Sequence, residues 1–319
     1  MYFEQAEEFA PLLNLKLGLR KTNAGPVPLA GFPVHQLDRF LKILVQDLNK
    51  SVAISEEFAN DAEDKARSGG LMFDRKVARI ITPGTLIDEK FMDTAENNFL
   101  LSIYLDVDSL KAEFERQDKA SSTPPLLSCP TQRVGLAWLD LSTGDFFTQL
   151  TTVQMLPSAI ARIGAREIIA DRSIESLVGK ELQLLVSRDR DHRLLTFFDG
   201  PRKISPMSEW SSMLEEPIPS ETASSFTFEE TAAGYSLLEY VRLQLQGIDT
   251  KLQPPRRRHL EETMGIDRNS LRGLEILETS RDRLGKGSLL HAVRRTTTKS
   301  GARLLRDRLS MSSINLQSC

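Results

Sequence analysis

Cysteine is almost missing from this chain of 319 residues, with only Cys129 and Cys319 present. Two isolated thiols make neither a disulfide framework nor a zinc site, and this usage fits a reducing compartment. Histidine is scarce too, and His35, His192, His259 and His291 have no metal-ligand spacing among themselves. No apolar run approaches the roughly 18 residues needed to span a bilayer. An excess of positive charge is also lacking. Lys and Arg number 41 against 44 Asp and Glu, a net charge of −3, which excludes a global attraction to nucleic acid. A polyanionic partner would have to be met by a local basic surface. The acidic start Met1-Tyr2-Phe3-Glu4 is neither a signal peptide nor an Arg-rich transit peptide. What remains is an apolar share of 40% and a charged share of 27%, the balance of a soluble globular chain. Its length suffices for two domains and part of a third.

The first unit is read as 1–106, mixed α/β. Leu37, Phe40, Leu41, Leu44, Val45 and Leu48 follow helical spacing, which predicts a helix over 36–49. The proline-rich 26–33 is a rigid loop or edge segment. Strands are predicted at 51–56, 76–81 and 98–105, forming one mixed sheet, with a charged loop at 60–70. Residues 107–131 read as a linker. A second α/β unit, 132–200, opens with a hairpin, 133–141 and 146–151, around Ser142-Thr143-Gly144-Asp145. A helix at 154–163 and strands at 167–170 and 182–186 follow. Residues 201–227, rich in Ser, Pro and Glu, read as a second linker. From 228 to 319 the pattern is all-helical, with faces at Ala233–Leu245 and Leu271–Leu277 and short helices at 289–293 and 303–309.

Catalytic motifs are wanting. Gly285-Lys286-Gly287-Ser288 is not a phosphate loop, because Ser280 stands where a glycine is required and Gly287 follows Lys286. A helix-to-helix turn accounts for it better. Asp140 and Asp145 lack a third carboxylate at a matching strand end, so they read as turn residues and not as ligands of nuclease metal ions. Nucleophile-elbow and dinucleotide fingerprints are absent. Arg256-Arg257-Arg258 reads as a solvated loop. Arg75, Lys76 and Arg79 are more informative: a regular strand over 76–81 puts Lys76 on one face and Arg79 on the other, where either could meet phosphates.

Three blocks together resemble the MutS family of mismatch-repair proteins. Pro26-Val27-Pro28-Leu29-Ala30-Gly31-Phe32-Pro33-Val34-His35, with Ser51–Glu56 after the helix, is similar to the family's P-I-P-M-A-G-x-P-x-H … V-A-I-x-E block. Val77–Leu86 and Glu96-Asn97-Asn98-Phe99-Leu100 resemble V-x-R-x-x-T-P-G-T and E-N-N-[FY]-L. Leu136–Gly144 looks like the hairpin opening the family's connector domain. Later, 273–277 and 297–305 resemble the start of its helical core, or lever, domain. The wording looks most like a fungal mitochondrial homologue.

The resemblance implies a mismatch-binding α/β domain, an RNase H-like connector without nuclease chemistry, and the start of an all-helical core. It implies double-stranded DNA as partner, with other mismatch-repair subunits or a second MutS-type chain possible. A mitochondrial location is implied, a nuclear one being the alternative. The family's reading element, Gly-Asp-Phe-Tyr-Glu, would lie just before Met1, so Phe3 and Glu4 are not the reading pair. The ATPase, which would bring ATP and Mg²⁺, is expected to be missing, as are the lever helices and clamp, so the chain is expected to be no enzyme and to hold no cofactor or metal. Arg79, which matches the arginine of V-x-R, is the leading DNA-facing residue, with Arg75 and Lys76 beside it. The alternative is a scaffold fragment that docks partners on the connector and binds no DNA specifically.

Overall fold

The computed structural model describes residues 1–22, 25–60, 67, 72–86, 97–116, 126–187, 193–246, 250–259, 266, 268–282 and 284–310. Most of the charged loop at 60–70, the Ser-Pro stretch at 121–125, Glu96, His192 and the residues after Ser310 lie outside them.

The N-terminal lobe is built from small pieces. A helix at Phe3–Leu12 buries Ala6 and Ala10 against Ala30. β1 (Leu17–Thr22) pairs antiparallel with β2 (Gly25–Ala30). β2 pairs with β1 on one side and is met on the other, at Leu29, by an isolated bridge from Tyr2, so Pro26 and Pro28 sit in an edge segment. The helix expected over 36–49 is present as a 3-10 turn at Val34–Gln36, an α-helix at Leu37–Lys42 and a π turn at Ile43–Asp47. It buries Phe40, Leu41, Leu44 and Val45. β3 (Val52–Ala59) and β4 (Phe73–Ile81) form a second antiparallel ladder. The one mixed sheet expected here is corrected to two separate two-stranded ladders.

Beyond the lobe, a six-stranded sheet runs in the order β10-β7-β6-β5-β8-β9. Its members are β5 (Phe99–Leu105), β6 (Arg133–Asp140), β7 (Asp145–Thr152), β8 (Glu167–Asp171), β9 (Leu194–Phe198) and β10 (Arg256–Arg257). β5, β6 and β7 are antiparallel, β5, β8 and β9 are parallel, and β10 lies parallel to β7. Strand alternation divides the core in two. Leu101, Ile103, Leu136, Trp138 and Ile168 face one side, under helices at Val107–Arg116, Leu156–Ile163 and Glu175–Ser187. Leu100, Ala137, Leu139, Phe146 and Ile169 face the other, under Trp210 and a long helix at Phe228–Leu245.

Several expectations are corrected. The strand expected at 98–105 as part of the first unit is instead β5, a central strand of the second sheet, paired with β6 and β8. The linker expected at 107–131 contains the Val107–Arg116 helix and a 3-10 turn at Leu126–Ser128. The strand expected at 182–186 lies within a helix whose buried Val178, Leu182 and Val186 recur every four residues. The second linker carries a 3-10 segment at Met207–Ser212, and its Trp210 stacks on Phe146 with ring centroids 6.2 Å apart. The helix from 228, placed at the start of the all-helical region, packs on the sheet so closely that a Cβ on Gly135 would sit 1.9 Å from the Glu229 carbonyl oxygen. The expected hairpin is present as β6 and β7, with Gly144 at φ +75° closing its turn.

After β10 come short helices at Arg268–Gly273, Leu289–Val293 and Lys299–Ser310. The last is tied to the sheet unit by Asn97, whose Nδ2 donates to Asp307 Oδ1 at 2.8 Å.

Candidate nucleic-acid interface

The β3–β4 ladder carries the residues singled out for DNA. Its lower half is exposed, from Phe73 to Val77 on β4 and from Ser55 to Ala59 on β3. Arg75 faces Glu57 across the ladder, Nε to Oε1 at 3.0 Å. That hydrogen bond and the carboxylate's charge hold the guanidinium above its usual range, so Arg75 stays protonated while part of its charge is neutralised.

Register decides where the other two point. The pairing jumps from Ile54↔Arg79 to Ser55↔Val77, leaving Ala78 as an extra residue in β4. Such a bulge resets the alternation. Cross-strand partners share a face, so Arg79 goes with Ile54 and Lys76 with Glu56, all on one side of the ladder, while Arg75 and Val77 lie on the other. The opposition of Lys76 to Arg79 expected for a regular strand is therefore corrected. On their shared side the strand ends run into the lobe core, where Ile81, Val52 and Ile54 pack with Leu41 and Val45. Arg79 is half-buried there and Lys76 exposed.

On Arg75's side the ladder meets the β1–β2 ladder and the start of the first helix. A cleft of about 450 Å³ opens between them, lined by Tyr2, Phe3, Arg20, Lys21 and Arg75 among others. Arg20 donates to the Tyr2 hydroxyl at 3.3 Å. Phe3 is exposed. Three cations around two aromatic rings can meet phosphates and offer a stacking face. Sequence reasoning missed Arg20 and Lys21; their adjacency in the short β1 was the available signal.

The sites rejected from sequence have structural work. Asp140 accepts from the Asn98 and Ser142 amides at 2.9 and 2.8 Å and from the Ser142 hydroxyl at 2.6 Å. Ser288 closes the Gly285–Ser288 turn and accepts from the His291 amide at 3.2 Å, capping a helix. Arg256–Arg258, expected as a solvated loop, is corrected: Arg256 and Arg257 form β10, the Arg258 amide donates to the Thr148 carbonyl, and Arg257 pairs with fully buried Glu230 at 3.0 Å. Among the described residues no three His, Cys, Asp or Glu are grouped to hold a metal ion, and no helix is long and apolar enough to cross a membrane.

Residues 1–90 match the family model of MutS domain I. The whole chain is similar to bacterial proteins named DNA mismatch repair protein MutS. Identity is 29% with that of Wolbachia pipientis wMel over 97% of this chain, and 30% with those of Anaplasma phagocytophilum (strain HZ) and Ruegeria pomeroyi over 96% and 99%. The chain spans about a third of the length of these relatives, 33% of each.

Proposed function

We infer that this chain is a portion of a MutS-type DNA mismatch-repair protein and that its N-terminal lobe meets double-stranded DNA. The observation that carries the reading is the cluster of Arg20, Lys21 and Arg75 around a cleft inside the segment that matches MutS domain I. Lys76 and Arg79 of β4 are proposed as further phosphate contacts. The order of the six-stranded sheet supports the RNase H-like connector reading, and the engagement of Asp140 by amides and a hydroxyl supports a connector without nuclease chemistry.

A mispair weakens stacking, so a duplex kinks there more cheaply, and an inserted aromatic exploits that deformability. The 319 residues contain no Gly-Asp-Phe-Tyr-Glu block. Contacts from these cations go to phosphates, which position a protein without reading bases. The chain on its own is therefore a weak, non-specific duplex binder, with affinities around 10⁻⁴–10⁻⁶ M at physiological salt. The full-length form would act as an ATP-dependent sensor, mitochondrial or nuclear.

Fluorescence anisotropy with a G·T duplex and its paired counterpart, at two salt concentrations, tests this. Binding should fall steeply with salt as counterions are released. Replacing Arg79, Lys76 or Arg20 by Ala should weaken both duplexes about equally. A preference for the mismatch above about tenfold, roughly 1.4 kcal/mol, would return Tyr2-Phe3-Glu4 to consideration as a reading element. Salt-independent behaviour, or no binding, would favour the scaffold reading.

A further inference from the structure

Among the described residues Glu167 and Glu230 are wholly buried on the long-helix side of the sheet, and they are treated differently. Glu230 has a cation, Arg257, at 3.0 Å. Glu167, at the start of β8, has neutral donors instead. The Tyr240 hydroxyl gives to Oε1 at 2.6 Å, the Thr196 hydroxyl gives to Oε1 at 3.1 Å, and the Gly84 amide gives to Oε2 at 3.0 Å. Thr82 adds a further side-chain hydrogen bond. These donors come from three places: the long helix, β9, and the Thr82–Thr85 turn at the end of the N-terminal lobe.

The turn is built as a plug. Its flanks, Ile81 and Leu86, belong to the lobe's own core with Leu41 and Val45. Inside it, the Thr82 and Thr85 hydroxyls lie 2.8 Å apart, and the Thr82 amide donates to Thr85 Oγ1 at 2.9 Å. Its tip sits hard on the sheet: a Cβ on Gly84 would come 2.8 Å from Leu100 Cδ1 and 2.9 Å from Glu167 Cβ. A buried acceptor left unsatisfied is costly, so the turn, the helix and β9 hold one another in place through this one side chain.

We propose that Glu167 is a latch, a positioning residue that fixes the N-terminal lobe on the six-stranded sheet through Gly84, Thr196 and Tyr240, and whose loss unseats the lobe while the sheet stays folded. The latch stands on this geometry alone; any effect on duplex binding rests in addition on the DNA reading above, so the test uses no DNA.

Residue-resolved amide hydrogen exchange on the whole chain reads it directly, because local opening and global unfolding are separable by which amides exchange. In Glu167→Ala the Gly84 and Thr85 amides should exchange at least about tenfold faster, with the β5–β8 ladder unchanged. Tyr240→Phe and Glu167→Gln should give smaller accelerations at the same two amides, the carboxamide keeping one acceptor oxygen. Leu182→Ala, a cavity on the opposite face, should accelerate slow amides generally without singling out the turn. If Glu167→Ala fails to fold, the Tyr240→Phe and Glu167→Gln comparison decides. Gly84 exchange that tracks the ladder in all soluble variants would overturn the latch and leave the lobe held by packing alone.

Discussion

Asp307 is a half-buried carboxyl that accepts from Asn97 and takes some compensation from Arg258 and Arg306. Burial outweighs these neighbours and raises it from 3.8 to about 6. The folded chain therefore holds this proton more tightly than the unfolded one. The stability it lends is complete below about pH 4 and lost as pH rises through 6. Partial solvent contact limits the effect to about 2 kcal/mol. Urea titrations of wild type and Asp307→Asn at pH 4 and 7 should show the variant lacking that part of the pH dependence and gaining relative stability at pH 7. Identical pH profiles would mean that the helix Lys299–Ser310 releases Asp307 to water. Burial pushes Glu167 upward in the same direction, so the informative quantity is the difference between the two proteins.

At the scale of elements, the long helix begins with a reciprocal cap: Thr227 Oγ1 accepts from the Glu230 amide at 3.3 Å, and Glu230 Oε2 accepts from the Thr227 amide at 3.0 Å. The same Glu230 binds Arg257, so one side chain starts a helix and anchors β10. Thr227→Ala should cost about 1 kcal/mol. Arg257→Ala should cost about 2 kcal/mol, at or below the lower end for a broken buried pair because the guanidinium remains partly exposed. Chemical denaturation checks both, and an Arg257→Ala effect under 0.5 kcal/mol, an order-of-magnitude floor for a buried pair, would show that Glu230 is satisfied by Thr227 and Thr148 alone. None of this coupling was legible beforehand, whereas the β6–β7 hairpin was, because alternation and turn chemistry are local properties of neighbouring residues. The membership of 98–105 in the second sheet was not, since pairing Leu101 with Trp138 and Ile168 is a long-range event with no local signature. A five-residue apolar run such as 182–186 suits strand or helix equally until its packing is known. The face of Arg79 turned on a single bulged residue, Ala78, which the alternation pattern conceals.

For the whole molecule, the Gly285–Ser288 turn is spent on capping a helix, and the sequence contains no G-x-x-x-x-G-K-[ST] motif. Calorimetric titration with ATP and Mg²⁺ should give no binding, and a stoichiometric signal would contradict this account. The two residues of β10 matter well beyond their length. They cover the outward hydrogen-bonding groups of β7 at Phe147 and Thr148, and the Arg258 amide donates to the Thr148 carbonyl at 2.8 Å. Without them the backbone of β7 at Phe147 and Thr148 would be open to any neighbour, and such a margin is a template on which a second chain can add. Arg258→Pro removes that donor and should make light scattering rise with concentration more steeply than it does for the wild type. Read this way, the arginine triplet closes a short stretch of a sheet margin, and its loss is expected to show as association between copies and not only as lost stability.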